Sequence, residues 1–93
     1  MLTRAEIQHL RSLREKRRRE ESGLFVVEGP KVVGELLAAG LTFTEVLATP
    51  DWPAPTRVEV KRITPDEMAR ISHFPTPSTV LAVGRISRPA LPT

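Results

Sequence analysis

Apolar residues return along this chain at two alternating periods, and their order predicts a small α/β domain. Ile7, Leu10 and Leu13 recur at helical spacing behind Thr3-Arg4-Ala5-Glu6, the signature of a capping box. A helix is expected from Arg4 to Arg19, ended by Ser22-Gly23. Leu24 to Val27 is short, apolar and β-branched in its second half, which reads as a buried strand. Gly29-Pro30 opens a second helix, because proline suits a first-turn position where no amide donor is needed. Val32, Val33, Leu36 and Leu37 form the expected inner face of that helix, and Gly40 its left-handed cap. Phe43 to Ala48 predicts a second strand. Three prolines between Thr49 and Pro55 predict a loop, and the alternation of Val58 and Val60 within Arg57 to Ile63 predicts a third strand. Thr64-Pro65-Asp66-Glu67 starts a third helix with Met68 and Ile71 inward, Phe74 to Ser78 is loop, and Thr79 to Ile86 is a final strand.

The predicted order is α-β-α-β-β-α-β. A helix between the first two strands implies that they pair in parallel, with helices covering both faces of the sheet. The expected fold is a small three-layer α/β/α sandwich around a mixed sheet of about four strands. Ninety-three residues make one domain. Residues 1–87 are assigned to it, and the proline-containing segment 88–93 to a linker toward a further domain.

Charge sharpens this picture. Net charge is +3, but residues 1–20 hold seven basic groups (Arg4, Arg11, Arg14, Lys16, Arg17, Arg18, Arg19) against three acids (Glu6, Glu15, Glu20). The remaining residues hold seven basic groups and eight acids, so the whole positive excess sits in the first segment. On one continuous helix, Arg4, Arg11, Arg14 and Arg18 would line one side of the apolar stripe. A polyanion would meet that surface first. The plainer alternative is a solvated helix whose arginines pair with Glu15, Glu20 and Glu21.

The residue inventory excludes several kinds of chemistry. With no cysteine there are no disulfides and no thiolate zinc sites, and His9 and His73 are too few to build a metal centre. The N-terminus lacks the apolar core of a signal peptide, and no run reaches the length of a membrane span, so a cytoplasmic protein without membrane partners is expected. No glycine-rich phosphate loop is present, and Ser72-His73 has no evident acid to orient the imidazole. Glu28, at the junction of strand and helix, is the acid of interest. Structural bonding to backbone donors, Lys31 or an arginine is the favoured reading over direct contact with a substrate. Lys31 sits near a helix N-terminus and is either a phosphate contact or simply solvated. Trp52 is read as core rather than as an exposed stacking ring. The loop Phe74-Pro75-Thr76-Pro77 is either a binding edge or a rigid connection.

Four segments in order carry a resemblance to a known family. They are the basic helix ending at Arg19, Gly23-x-Phe25-x-x-Glu28-Gly29, the helix with Val32-Val33-x-Glu35-Leu36-Leu37, and Thr76-Pro77-x-x-Val80-Leu81-Ala82-Val83. Together they resemble the N-terminal substrate-binding domain of SpoU-type (TrmH-like) RNA 2'-O-ribose methyltransferases. Ser78-Thr79 replaces the Gln-Gly of that family's pattern. The resemblance implies a ribosomal-protein-like fold that recruits structured RNA, either rRNA or tRNA. It also implies a separate C-terminal knotted domain that binds S-adenosylmethionine, transfers the methyl group and dimerises. No cofactor and no catalytic activity are expected of these 93 residues alone. Arg11, Arg14, Arg17, Arg18, Arg19 and Lys31 are the expected RNA contacts, with Glu28 and Gly29 shaping the junction. Two other readings stay open: a standalone RNA-binding module of the ribosomal-protein-like type, and a protein-interaction domain whose basic helix docks an acidic partner.

Overall fold

A computed structural model describes residues 2–86 of the chain; the expected linker from Arg88 lies outside the described residues. Along the chain come α1 (Arg4–Ser12), α2 (Lys16–Ser22), β1 (Leu24–Glu28), α3 (Pro30–Ala38), β2 (Glu45–Ala48), β3 (Lys61–Arg62), α4 (Pro65–Ile71) and β4 (Val80–Arg85). The strands form one mixed sheet in the order β1-β4-β2-β3.

β4 organises the sheet. Its residues Val80 to Gly84 are all buried, so both of its faces must be covered. Leu81 and Val83 point to a cluster with Leu10 and Leu13 of the N-terminal segment and Met68 and Ile71 of α4. Val80 and Ala82 point the other way, to Val33 and Leu37 of α3 and to Trp52. The period-two alternation of one strand thus splits the core into two layers and gives the α/β/α sandwich expected from the sequence.

The pairing of the sheet differs from expectation in one respect. β1 and β2 do not lie side by side. β4 is inserted between them and runs antiparallel to both, with Val26 opposite Val83 and Leu47 opposite Leu81. The most apolar strand takes a central place, where both faces and both edges are protected, and the parallel pair that does form is β2 with β3.

The first helix is also not continuous to Arg19. Its start is as predicted: Thr3 Oγ1 accepts from the Glu6 amide and the Glu6 carboxylate accepts from the Thr3 amide, both at 3.1 Å. The helix stops at Ser12, tightens through three-residue bonds from the amides of Leu13, Arg14 and Glu15, and restarts at Lys16 after an extended Glu15. Leu13, only 1% exposed, is drawn into the core at this bend. Arg19 reaches back to donate to the carbonyls of Leu13 and Arg14, both at 2.8 Å, which satisfies acceptors that a broken helix leaves open.

Smaller departures have local causes. On α3, Val33 and Leu37 are buried and Leu36 is half-buried, while Val32 lies 100° around the helix from Val33 and stays 42% exposed. The third strand is only two residues long. Val58 and Val60 pack onto the α3-side core, but the chain joins the ladder only where Lys61 meets Leu47. Gly40 takes its left-handed cap at φ 88°, and Thr64 with Glu67 forms the second capping box.

Two consequences can be measured. Gly84 faces Phe25 across the β1–β4 ladder, and a Cβ there would stand 2.5 Å from Phe25 Cζ. Phe25 is itself held against Phe43, with ring centroids 6.2 Å apart. Gly84→Ala is expected to destabilise by about 1–3 kcal/mol through overpacking, and adding Phe25→Leu should recover much of the loss in a denaturation double-mutant cycle. The second consequence concerns acid. Lys61 Nζ lies 2.6 Å from Glu6 Oε2, and this bond, with the Thr3 amide, lowers the Glu6 carboxyl from 4.5 to about 2. The Leu2 and Thr64 amides lower Glu67 in the same direction. Depressed carboxylates stabilise the fold above their unfolded values, and the gain is lost as pH falls. Tm is therefore expected to drop between pH 4.5 and about 2, with a shallower slope in Glu6→Gln.

Candidate nucleic-acid interface

The basic residues fall into three groups that sequence spacing could not separate. On α2, Lys16 lies 3.9 Å from Glu20, Arg17 3.1 Å from Glu21 and Arg18 3.6 Å from Glu21. These are exposed pairs within one helix, which hold each other weakly and leave the cations available to a stronger anion. The second group is bonded to the backbone. Arg19 bridges the two helices, and Arg14 Nη2 donates to the Ser72 carbonyl, so both guanidinium groups already serve the fold.

The third group forms where α1 packs against α4. An open groove of about 650 Å³ runs along this seam, lined by Leu2, Arg4, Ile7, Gln8, Arg11 and Arg70. Arg4 and Arg11 are seven residues apart and nearly eclipsed on α1, and Arg70 comes from the last turn of α4. Among the described residues none of the three makes an ion pair. Three guanidinium groups therefore share one groove over the half-buried Ile7, a geometry suited to a polyanion. The expected single row through Arg14 and Arg18 is not formed, because the break after Ser12 moves both off α1. Arg70 was missed in the sequence. Its only local signal is a cation in a final helical turn, and its meaning comes from tertiary packing.

At the other end of α1 lies the strand-to-helix junction. Gly29 has φ 109°, a value that favours glycine, and its amide donates to the Val80 carbonyl at 2.9 Å. Lys31 is exposed on the first turn of α3. Glu28 is only 7% exposed and accepts three bonds: from the hydroxyl of Ser72, from the His73 amide at 2.7 Å and from the hydroxyl of Ser78 at 2.8 Å. These bonds tie it to the fold, and among the described residues neither Lys31 nor an arginine bonds to it. Two serines and one backbone amide do so instead. The Ser78 hydroxyl thus closes the junction from the far end of the loop.

The same contacts fix how Ser72 and His73 are used. Ser72, His73 and Glu28 do come together, but the carboxylate holds the serine hydroxyl and the backbone of His73, while the imidazole Nε2 sits 3.3 Å from the Leu10 carbonyl. Ser72 is buried, its hydroxyl is directed to Glu28, and the imidazole is turned to Leu10, so the three do not form a serine–histidine–acid relay. Trp52 is buried on the α3 side, and its carbonyl accepts from Arg62 at 2.7 Å, so it is no stacking platform. Among the described residues no group of three His, Asp or Glu could hold a metal ion, and no helix is long and apolar enough to cross a membrane.

Known proteins place this arrangement. Residues 4–82 match the family model of the MRM3-like substrate binding domain. A protein from Porphyromonas gingivalis, assigned to the TrmH family of RNA methyltransferases, is 35% identical over the whole chain with a TM-score of 0.76. The fold is shared with a structure described as an RNA 2'-O ribose methyltransferase, at 18% identity over 98% of the chain and a TM-score of 0.75. It is shared also with the SpoU methyltransferase AviRb from Streptomyces viridochromogenes, solved with AdoMet, at 19% identity over 96% of the chain and a TM-score of 0.70. In each of these three the chain spans 38% of the neighbour's length. No curated protein matches the sequence significantly. A family model that matches residues 4–82 and a shared fold establish that the chain belongs to the family of MRM3-like substrate binding domains.

Proposed function

We propose that this domain recruits structured RNA, rRNA or tRNA, for 2'-O-ribose methylation. The observation that carries the reading is the α1–α4 seam, where Arg4, Arg11 and Arg70 line one groove with no acid paired to them among the described residues. Arg17 and Arg18 on α2, with Lys31 on α3, extend the positive surface, and Arg14 and Arg19 contribute charge while holding the fold. Phosphate contacts of this kind fix position and affinity without reading sequence.

In this reading the chemistry belongs to a partner domain of the same enzyme, which binds S-adenosylmethionine and dimerises. The structural neighbours are methyltransferases of which the chain spans 38%, and one of them was solved with AdoMet, which supports a cofactor-binding partner domain. The residues here would bind and orient the RNA, and the site of action would be the cytoplasm.

Salt dependence tests the proposal. Replacing Arg11 and Arg70 together by Ala should weaken binding to structured RNA and reduce the slope of log affinity against log salt by about 0.7–0.9 per lost phosphate contact. Unchanged affinity and slope would remove the groove from the interface. Arg19→Ala is expected to behave differently, with a stability loss of about 1–3 kcal/mol in denaturant titration from two abandoned carbonyls.

A further inference from the structure

The loop from Ser72 to Ser78 is held far more firmly than a connection requires. Glu28 grips it from β1 at both ends, through Ser72 and the His73 amide at one and Ser78 at the other. From the N-terminal segment, Arg14 donates to the Ser72 carbonyl and the Leu10 carbonyl lies 3.3 Å from the His73 ring. Inside the loop the Phe74 amide donates to Ser72 Oγ at 3.2 Å, and Pro75 and Pro77 fix two further backbone angles. At its tip stands Phe74, 49% exposed, the most exposed of the large apolar side chains described.

A single exposed apolar residue is ordinary. An aromatic ring on a loop pinned by a buried carboxylate is a different case. Burying a charge is costly unless it is fully hydrogen-bonded, and here all the bonds of that charge go to positioning this loop. The ring is presented pre-ordered, so a flat partner can settle on it with little further loss of freedom. It also stands two residues from the carbonyl that Arg14 touches, and α4, which carries Arg70 to the basic groove, leads directly into the loop. An aromatic face beside guanidinium groups is how proteins hold unstacked bases next to their phosphates.

We infer that Phe74 is a stacking platform for an unpaired RNA base, with Glu28 as the positioning residue of its loop. The inference rests on the RNA reading of the basic seam and adds to it the kind of RNA taken: one with an unpaired, splayed nucleotide beside a helix. The choice of RNA over an apolar protein surface follows from Arg14, bonded to the carbonyl two residues before the ring, and from Arg70 on the helix that leads into the loop.

The test measures affinities of the 93-residue chain for two labelled synthetic RNAs by fluorescence anisotropy. One is a hairpin with an unpaired purine-rich loop, and the other is the blunt duplex of its stem. Phe74→Ala and Phe74→Leu should each weaken hairpin binding on the order of tenfold, leaving duplex binding and the salt slope unchanged. Phe74→Trp should restore hairpin binding, and its emission, above that of the buried Trp52, should fall when the hairpin is added. Thermal unfolding of Phe74→Ala should match the parent, since the ring is exposed. Hairpin affinity unchanged in Ala and Leu overturns the stacking role while the RNA reading stands, and is the result expected if the ring meets a protein surface instead. Equal weakening on hairpin and duplex also overturns it. If the parent chain binds neither RNA, the RNA reading itself falls, and the stacking role with it.

Discussion

The burial of β4 on both faces is the constraint from which the rest of the molecule follows. Each fully buried Val or Leu side chain contributes about 1.5–3 kcal/mol, so a strand that buries Val80, Leu81, Ala82 and Val83 cannot leave either face to water. One face takes α3 and Trp52, and the other takes α1 and α4. That second requirement brings the two helices into contact, and their contact creates the basic groove. Arg4 and Arg11 would be unremarkable surface cations on an isolated helix. They become part of a three-arginine site because Met68 and Ile71 must reach the same apolar layer as Leu10, and in doing so they carry Arg70 alongside.

The ends of the sheet show the same dependence of function on packing. β1 pairs with β4 over its whole length, so Glu28 arrives at the margin of the sheet beside the chain that leads into β4. A carboxylate delivered there is buried, and burial obliges it to find donors. It finds them in Ser72, His73 and Ser78, all on one loop, and the loop is thereby fixed to the sheet. The polar residue at the strand tip acts on the surface through the order it imposes on its neighbours. That explains how a carboxylate can sit beside a basic surface: its oxygens are covered by protein donors.

The sequence was a good guide wherever the signal was local. Both capping boxes, the proline at the start of α3, the glycine caps and the two-faced final strand could each be read from a handful of adjacent residues. So could the segregation of charge into the first twenty positions. The failures share one cause. The bend at Leu13 to Glu15 carries no glycine or proline, and an unbroken helix is the better local choice. It breaks because Leu13 is drawn into a core formed by residues far along the chain, and because Arg19 can close the open carbonyls. The insertion of β4 between β1 and β2 is likewise decided by burial over the whole sheet, beyond what the link between two strands can say. Arg70 and the serine partners of Glu28 are distant in sequence from what they join, which is why spacing did not reveal them.

Charge pairing then separates cations that composition counts alike. On α2 the arginines face Glu20 and Glu21 one turn on, so an incoming phosphate must compete with a carboxylate for them. In the groove of α1 and α4 Glu6 could have played that part, but Lys61 occupies its carboxylate from β3. The pair removes one acid from the neighbourhood of Arg4 and Arg11 while tying the third layer to the sheet. One ion pair thus serves two levels at once: it fastens α1 to β3, and it leaves the three arginines of the seam without a carboxylate partner among the described residues. Long-range attraction can come from the whole basic segment, whereas the geometry of a bound complex would be set where the cations are unpaired and the neighbouring loop is rigid.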